Sequence, residues 1–258
     1  MNIGIKNHLF IVGGATSGLG KAVAEALITE GATIIAVARR EDQLKELQAV
    51  APGQTEILVG DLTQSEVTMN LVEIVGSRQV HGILVNAGGP PAKTVMETTL
   101  EDWDTAYKSL LRWKVELTQA FAPGMIKAKY GRIVFIESSS VKQPIENLVL
   151  STSLRLAVVG FAKTFSQEIA KSGVTINVLA PGAHDSPAIN RIHKKISEQT
   201  GISIEEIRKQ GIQQIPVGAL GKTEDFASLA IWLLSPISRY ITGQTISVDG
   251  GSLKTIFG

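Results

Sequence analysis

The sequence predicts an α/β fold in which helices cover both faces of a parallel sheet of about seven strands. Two observations support this prediction. Short runs rich in Val, Ile and Leu alternate with longer segments of helical periodicity, and most of these runs are apolar throughout rather than at every second residue. Strands have that composition when both of their faces are covered. The alternation is typical of repeated βαβ units with right-handed crossovers, so we expect a doubly wound sheet.

The predicted elements follow one another without a linker or an internal repeat. The candidate strands are Leu9–Val12, Thr33–Ala38, Glu56–Val59, Gly82–Asn86, Arg132–Ile136, Thr175–Leu179 and Thr245–Val248. The helical patterns cover residues 18–30, 41–50, 64–76, 100–128, 152–171 and 223–234. A polar stretch at about 186–214 has helical pieces but no strand pattern, and we expect a lid-like insertion there. We therefore predict a single domain over residues 1–258.

Composition narrows the classes of function. The chain of 258 residues has 44% hydrophobic and 19% charged residues, which is ordinary for a globular protein. The net charge of +1 gives no case for nucleic acid or an anionic membrane as partner. The absence of cysteine excludes disulfides and thiolate metal sites, and we expect no metal. No apolar stretch is long enough to span a membrane, and Lys6, Asn7 and His8 interrupt any signal-peptide core. We expect a soluble, cytoplasmic protein.

A glycine-rich segment follows the first predicted strand and opens the first predicted helix. It reads Gly13-Gly14-Ala15-Thr16-Ser17-Gly18-Leu19-Gly20. Glycines at such a turn let the backbone approach a pyrophosphate, which the N–H groups and the positive end of the following helix then hold. Structural turns also use glycine, but the position between strand and helix favours a Rossmann-like dinucleotide site. The candidate cofactor-binding residues of this turn are Gly14, Thr16, Ser17, Gly18, Leu19 and Gly20.

The end of the second strand indicates which dinucleotide is bound. NAD-binding folds usually carry an acidic residue there, which bonds the ribose 2′-hydroxyl. This chain has Ala38 at that position, followed by Arg39 and Arg40. Arginine pairs well with phosphate through its planar fork of donors, so we predict NADP(H), with Arg39 preferred over Arg40. The alternative is an exposed basic pair that begins a helix.

These motifs, with others along nearly the whole chain, resemble the short-chain dehydrogenase/reductase family, which includes bacterial 3-oxoacyl-carrier-protein reductases. The glycine motif matches through Gly14, Gly18 and Gly20. Further matches are Asp61-Leu62, Asn86-Ala87-Gly88, Gly131-Arg132-Ile133 leading to Ser138, Asn177 to Gly182, Ile241 to Gln244 and Val248 to Gly251, whereas Val85 departs from the asparagine that the family has before Asn86. The resemblance implies an oxidoreductase that binds its cofactor also through Asp61, Leu62, Asn86, Ala87, Gly88, Pro181, Gly182 and His184. It also implies a small-molecule carbonyl or alcohol substrate.

The same resemblance exposes a mismatch at the catalytic positions. The family's asparagine, seven residues after an aromatic that Trp103 matches, falls on Leu110. Its tyrosine, thirteen residues after the serine, falls on Ser151, and its lysine, four residues later, falls on Arg155. Only Ser138 is retained. Tyrosine has a reference pKa of about 10, whereas a serine hydroxyl is far less acidic and arginine stays protonated. Ser138, Ser151 and Arg155 are therefore predicted to bind a substrate oxygen, without an easily donated proton.

Two other residues are candidate proton donors. His184 follows Pro181-Gly182 and is the preferred candidate, with Lys142 second. Lys114 and Tyr107 are expected to be ordinary helix residues, and His193 a surface residue.

Two functional hypotheses stay open. The first is an NADP(H)-dependent oxidoreductase with a rewired site, in which Arg155 could hold an anionic substrate. The second is a non-catalytic NADP(H)-binding sensor or partner subunit, and a purely structural subunit is disfavoured by the glycine turn. The resemblance also implies a homotetramer or homodimer that uses the helices at 100–128 and 152–171. The apolar stripe of the second helix could equally serve only to cover the sheet.

Overall fold

The computed structural model describes residues 2–86 and 88–256 and confirms the predicted doubly wound parallel sheet. Its seven strands lie in the order β3-β2-β1-β4-β5-β6-β7, and every neighbouring pair is parallel. The strands are β1 (Leu9–Gly13), β2 (Thr33–Ala38), β3 (Thr55–Val59), β4 (Gly82–Val85), β5 (Gly131–Ile136), β6 (Val174–Pro181) and β7 (Thr245–Val248). The strand order reverses between β1 and β4, which is where such sheets open a crevice at their carboxyl ends.

Helices cover both faces of this sheet. They are α1 (Gly18–Thr29), α2 (Glu41–Val50), α3 (Ser65–Val75), α4 (Leu100–Tyr107), α5 (Trp113–Ala128), α6 (Val149–Ile169), α7 (Pro187–Thr200), α8 (Ile204–Gln213) and α9 (Thr223–Leu233). Residues of α1, α2 and α9 pack in one hydrophobic cluster, and residues of α3, α5 and α6 pack in a second. In β1, Phe10 belongs to the first cluster and Ile11 to the second. This two-sided burial is why the central strands are apolar throughout.

The pattern predicted as one helix over 100–128 contains an irregular turn. A π-helical segment, Lys108–Arg112, joins α4 to α5. Within it Leu110 is fully buried, and the Trp113 indole donates a hydrogen bond to the carbonyl of Ser109 at 2.8 Å. Single π-helical turns often occur at functional sites, and Ser109 does line the cavity described below.

The stretch of about 186–214 forms the two helices α7 and α8 and no strand. Within the described residues, no helix combines the length and apolarity needed to cross a membrane. The same residues contain no cluster of three or more side chains that could hold a metal ion.

Candidate functional site

A cavity of about 870 Å³ lies at the carboxyl ends of the strands and is lined by most of the predicted site residues. This volume is within the range of small-molecule and cofactor sites. The predicted residues along it are Gly14, Thr16, Ser17, Gly18, Leu19, Arg39, Arg40, Asp61, Leu62, Asn86, Gly88, Ser138, Ser151, Arg155, Pro181, Gly182 and His184. Gly20 lies behind the turn rather than on the cavity wall, and Ala87 lies outside the described residues. The fold thus brings together segments that are far apart in the sequence.

The glycine turn is held close to the end of β4 by backbone that only glycine accommodates. Gly14 has a φ of +63°, and a Cβ on it would lie 2.6 Å from the Asn86 amide nitrogen. A Cβ on Gly20 would lie 2.3 Å from the carbonyl oxygen of Gly14. The Asn86 amide in turn donates to the carbonyl of Gly13 at 3.3 Å. A substitution at Gly14 or Gly20 would therefore displace the turn itself.

The amino end of α1 is open towards this cavity. Ser17 precedes the helix in extended conformation, and its side chain makes no capping hydrogen bond among the described residues. The first N–H groups of a helix lack partners within the helix, so here they are available to an anion. The turn and the helix end together can hold a pyrophosphate.

The two arginines after β2 make different contacts at the cavity rim. The Arg39 side chain is 77% exposed, and its Nη1 lies 3.8 Å from Oδ2 of Asp61. Arg40 donates from Nη2 to the Thr16 hydroxyl at 3.2 Å and so connects to the glycine turn. Arg39 therefore has more freedom to meet a phosphate at the rim, whereas Arg40 braces the turn.

The floor of the cavity contains a buried charged group that couples three elements. Glu137, directly after β5, accepts a hydrogen bond from Nη1 of Arg155 on α6 at 2.9 Å. Its other oxygen accepts from the Lys114 ammonium on α5. Arg155 also donates from Nε to the Ser151 hydroxyl at 3.0 Å. We call Lys114, Glu137 and Arg155 the buried charge cluster.

Burial changes the titration of Lys114 within this cluster. Desolvation lowers the pKa of Lys114 to about 8, with the nearby Arg155 charge acting in the same direction and Glu137 opposing both. Removing one member of a buried ion pair leaves an uncompensated charge and is strongly destabilising. The cluster therefore depends on Glu137, which separates two cations.

Two serine hydroxyls face the cavity, and each already accepts one hydrogen bond. Ser138 accepts a hydrogen bond from the N–H of Ser140 at 3.1 Å, and Ser151 accepts from Arg155 as described above. A hydroxyl has one hydrogen to donate in addition to its acceptor lone pairs. Since both serines line the cavity, both can donate to an oxygen atom of a bound molecule.

The structure corrects two expectations about individual residues. Lys114 is not an ordinary helix residue, because it is 2% exposed and belongs to the buried charge cluster. His193, expected at the surface, is 5% exposed. Lysine is almost never fully buried unless it is paired, and the pairing of Lys114 with Glu137 is not visible in the sequence.

The two proton-donor candidates differ in their contact with the cavity, which His184 lines. The His184 ring is buried with its edge against Phe226, and its Nδ1 is 3.2 Å from the carbonyl oxygen of Gly182. Lys142 is partly exposed and is absent from the described cavity wall. Burial lowers the Lys142 pKa.

Sequence reasoning missed Glu137 as a site residue. Its signal was present: the carboxylate directly follows the apolar run Ile133 to Ile136 of a strand buried throughout. An ionisable residue at the end of a fully buried strand needs a partner, and Arg155 had already been singled out. Gly89 and Ser109 also line the cavity and were not predicted.

The fold and the glycine-lined cleft define a Rossmann-like α/β protein. Residues 14–252 match the family described as Enoyl-(Acyl carrier protein) reductase. The chain is 31% identical over 251 residues to Dehydrogenase/reductase SDR family member 6 of Xenopus laevis, covering 96% of this chain and 98% of that protein. The chain therefore belongs to the short-chain dehydrogenase/reductase family.

Two further relatives are reductases. The 3-oxoacyl-(acyl-carrier-protein) reductase of Thermotoga maritima is 29% identical over 252 residues, covering 96% of this chain and 98% of that protein. Among solved structures, L-sorbose reductase from Gluconobacter frateurii, complexed with NADPH and L-sorbose, superimposes with a TM-score of 0.93 at 27% identity. That alignment covers 99% of this chain and all of the reductase.

Proposed function

We propose that this protein is an NADP(H)-dependent oxidoreductase acting on a carbonyl or alcohol group, with an active site that holds the substrate oxygen by two serines. The observation that carries the proposal is the hydrogen bond from Arg155 to Ser151, anchored by the buried Glu137. Ser151 and Arg155 stand where the family resemblance expects a tyrosine and a lysine. The cavity retains hydrogen-bond donors and positive charge there.

The cleft fits NADP(H). The glycine turn lies on the cavity wall, and its shape depends on the positive φ of Gly14 and the close approach of Gly14 to Asn86. The uncapped amino end of α1 suits a pyrophosphate, and Arg39 at the rim suits the 2′-phosphate. Solved relatives with NADPH, such as the L-sorbose reductase, support the same cofactor.

When bound, the cofactor would supply or accept a hydride. The hydroxyls of Ser138 and Ser151 would hold the substrate oxygen, and the Arg155 charge behind Ser151 would stabilise negative charge that develops on it. Neither serine nor arginine readily releases a proton near neutral pH. A well-placed acid or base contributes about 10²–10⁴-fold to rate, so we expect turnover slower by about that factor than with a tyrosine.

The first test is a calorimetric titration with NADPH and, separately, with NADH. We expect NADPH to bind at least about tenfold more tightly, a difference of about 1.4 kcal/mol. Arg39→Ala should remove most of this preference, whereas Arg239→Ala, an exposed arginine absent from the described cavity wall, should retain it. Equal affinity for the two dinucleotides would refute the assignment of NADP(H).

A non-catalytic NADP(H)-binding sensor or partner subunit is the second candidate. It is favoured by one observation: Arg155 is held by Glu137 as a structural ion pair would be. The two candidates separate at Arg155→Ala, which should abolish turnover of a substrate while leaving NADPH affinity unchanged. Full turnover in that variant would remove Arg155 from the mechanism.

We further propose a cytoplasmic homodimer or homotetramer of single-domain subunits, with α7 and α8 as a lid. Gly160 on α6 supports a subunit contact, because a Cβ there would meet nothing within 4 Å among the described residues. Leu156 on the same helix is 45% exposed. A monomeric mass by light scattering would contradict the oligomer.

A further inference from the structure

The buried charge cluster contains one more cation than anion. Lys114, Glu137 and Arg155 are 2%, 4% and 9% exposed. Within residues 2–86 and 88–256, Glu137 is the only carboxylate that forms an ion pair with either cation. Burying an unpaired charge is costly. A positive charge is therefore left over at the floor of the cavity, and an anion bound there would balance it.

One edge of the Arg155 guanidinium points to where that anion would bind. Nε is used by Ser151 and Nη1 by Glu137, whereas Nη2 has no hydrogen-bond partner in the described part of the chain. Nη2 lies 3.1 Å from the place that a Cβ on Gly89 would take. Gly89 lines the cavity, so the lack of a side chain there leaves Nη2 uncovered.

The position of Nη2 also limits the shape of the anion. In a planar guanidinium, Nε and Nη2 lie along the same edge and form a fork. Ser151 occupies the Nε end of this fork, so a group on Nη2 lies beside whatever the Ser151 hydroxyl binds. A carbonyl oxygen on Ser151 and an anionic oxygen on Nη2 are then close enough to come from neighbouring carbon atoms.

We propose that the substrate is a carboxylic acid with its oxo or hydroxyl group on the adjacent carbon, a 2-oxo or 2-hydroxy acid. This inference rests on the proposed function. The carboxylate binds Nη2 of Arg155, and the carbonyl oxygen accepts hydrogen bonds from Ser138 and Ser151. In the reducing direction, hydride from NADPH forms the new C–H bond, the π electron pair of the carbonyl moves to oxygen, and a proton from water completes the hydroxyl.

The test uses oxamate, a carboxylate with an adjacent amide carbonyl that hydride does not readily reduce, and oxamide, its uncharged counterpart of nearly equal shape. Both are titrated calorimetrically into the NADPH-saturated protein, after the NADPH affinity has been measured. We expect oxamate to bind and oxamide to bind on the order of 10- to 100-fold more weakly, since hydrogen bonds to charged groups contribute about 1.5–3 kcal/mol. NADPH oxidation is then followed with 2-oxobutanoate and with 2-oxobutanamide.

Substitutions in the buried charge cluster should change the oxamate affinity in opposite directions. Arg155→Gln should weaken oxamate on the order of 10- to 100-fold and leave NADPH affinity unchanged. Glu137→Gln removes the balancing carboxylate and should tighten oxamate. Arg239→Gln is the matched control and should alter neither affinity. If Glu137→Gln does not fold, Lys114→Met serves in its place: it removes a charge that does not line the described cavity, and should weaken oxamate.

The outcomes distinguish a failure of the proposed function from a failure of the proposed substrate class. Absence of NADPH binding would refute the proposed function. NADPH binding with equal or undetectable affinity for oxamate and oxamide would overturn the acid substrate alone. Unchanged oxamate affinity in Lys114→Met would overturn the role of the excess charge.

Discussion

Basic side chains are buried differently at the carboxyl ends of the strands, here called the carboxyl edge of the sheet, and at their amino ends, the amino edge. At the carboxyl edge, Lys114 and Arg155 share the carboxylate of Glu137. At the amino edge, Arg132 donates instead to the backbone carbonyls of Ser235, Gly131 and Gly173, and its guanidinium carbon lies 4.4 Å from the centre of the Tyr130 ring. His8 and His81 stack beside that ring with their centroids 4.0 Å apart.

This difference distinguishes an arginine with a purely structural role from an arginine at the candidate functional site. Three donor bonds of Arg132 end on backbone carbonyls, and Arg132 is buried away from the described cavity wall. Arg155 donates instead to two side chains, the Ser151 hydroxyl and the Glu137 carboxylate, and its Nη2 is left on the cavity with two serine hydroxyls nearby. Polar groups that face the cavity therefore mark the carboxyl edge as the place for chemistry.

The largest expected effect comes from removing the carboxylate that the carboxyl edge depends on. Glu137→Gln should lower the free energy of unfolding by about 3–5 kcal/mol, because two buried cations lose their partner. Glu56→Gln, which breaks an exposed ion pair with Arg78, should cost less than about 1 kcal/mol. Urea denaturation of both variants measures this contrast. Equal, small losses would show that the buried charge cluster is not needed for stability.

The next largest expected effect is a loss of stability at acid pH that arises from the histidines at the amino edge. Burial, with the neighbouring His8, lowers the pKa of His81 to about 4, and burial with the Arg132 charge lowers the pKa of His8. Both imidazoles are protonated more readily in the unfolded chain, so stability should fall as the pH drops from about 6.5 towards 4. His81 is only part-buried, so its share is about 1–2 kcal/mol after solvent screening.

The measurement is urea denaturation across this pH range for the wild type and His81→Asn. Asparagine retains an acceptor for the Leu9 N–H, which bonds Nδ1 of His81 at 3.0 Å, but does not titrate. The variant should lose less stability than the wild type between pH 6.5 and pH 4. Parallel curves would mean that His81 is not the acid-sensitive group.

The smallest expected effect is on the pH dependence of oxamate binding, and it tests the role of Lys114 at the carboxyl edge. Because its pKa is about 8, Lys114 loses its proton as the pH rises from 7 to 9, and the excess positive charge of the cluster disappears. Oxamate affinity should therefore fall severalfold over this range, in line with an effect of about one kcal/mol. The Lys114→Met variant should bind oxamate more weakly than the wild type at pH 7, and its oxamate affinity should not change with pH over this range. A fall of equal size in the variant would assign the titration to another group.

Much of the fold was predictable because it depends on patterns of near neighbours. All seven strands were located, since their two-sided burial requires apolar runs. The end of β4 and the start of α6 differed by one to three residues, because such ends are set by local backbone geometry. The π-helical turn at Lys108–Arg112 was not predicted, because nothing in the periodicity of 100–128 distinguishes it from an α-helix.

The site was predictable only in part, for a physical reason. Glycine turns and strand ends are sequential features, so Gly14, Gly18 and Arg39 could be placed on the cavity from the sequence. The pairing of Lys114 with Glu137 joins α5 to the end of β5, over a distance that no periodicity encodes. A buried lysine and an exposed lysine on a helix look the same until the neighbouring strand is known.

The shared carboxylate also restricts the order in which this site could have been assembled by single substitutions. Glutamate at position 137 without a cation beside it would bury a bare anion, and lysine at position 114 without Glu137 would bury a second bare cation. An arginine at position 155 lines the cavity, so it could come first and receive Glu137 next, with Lys114 last. A double variant, Ser151→Tyr with Arg155→Lys, would still have Glu137 and Lys114 in the floor beneath the two new side chains.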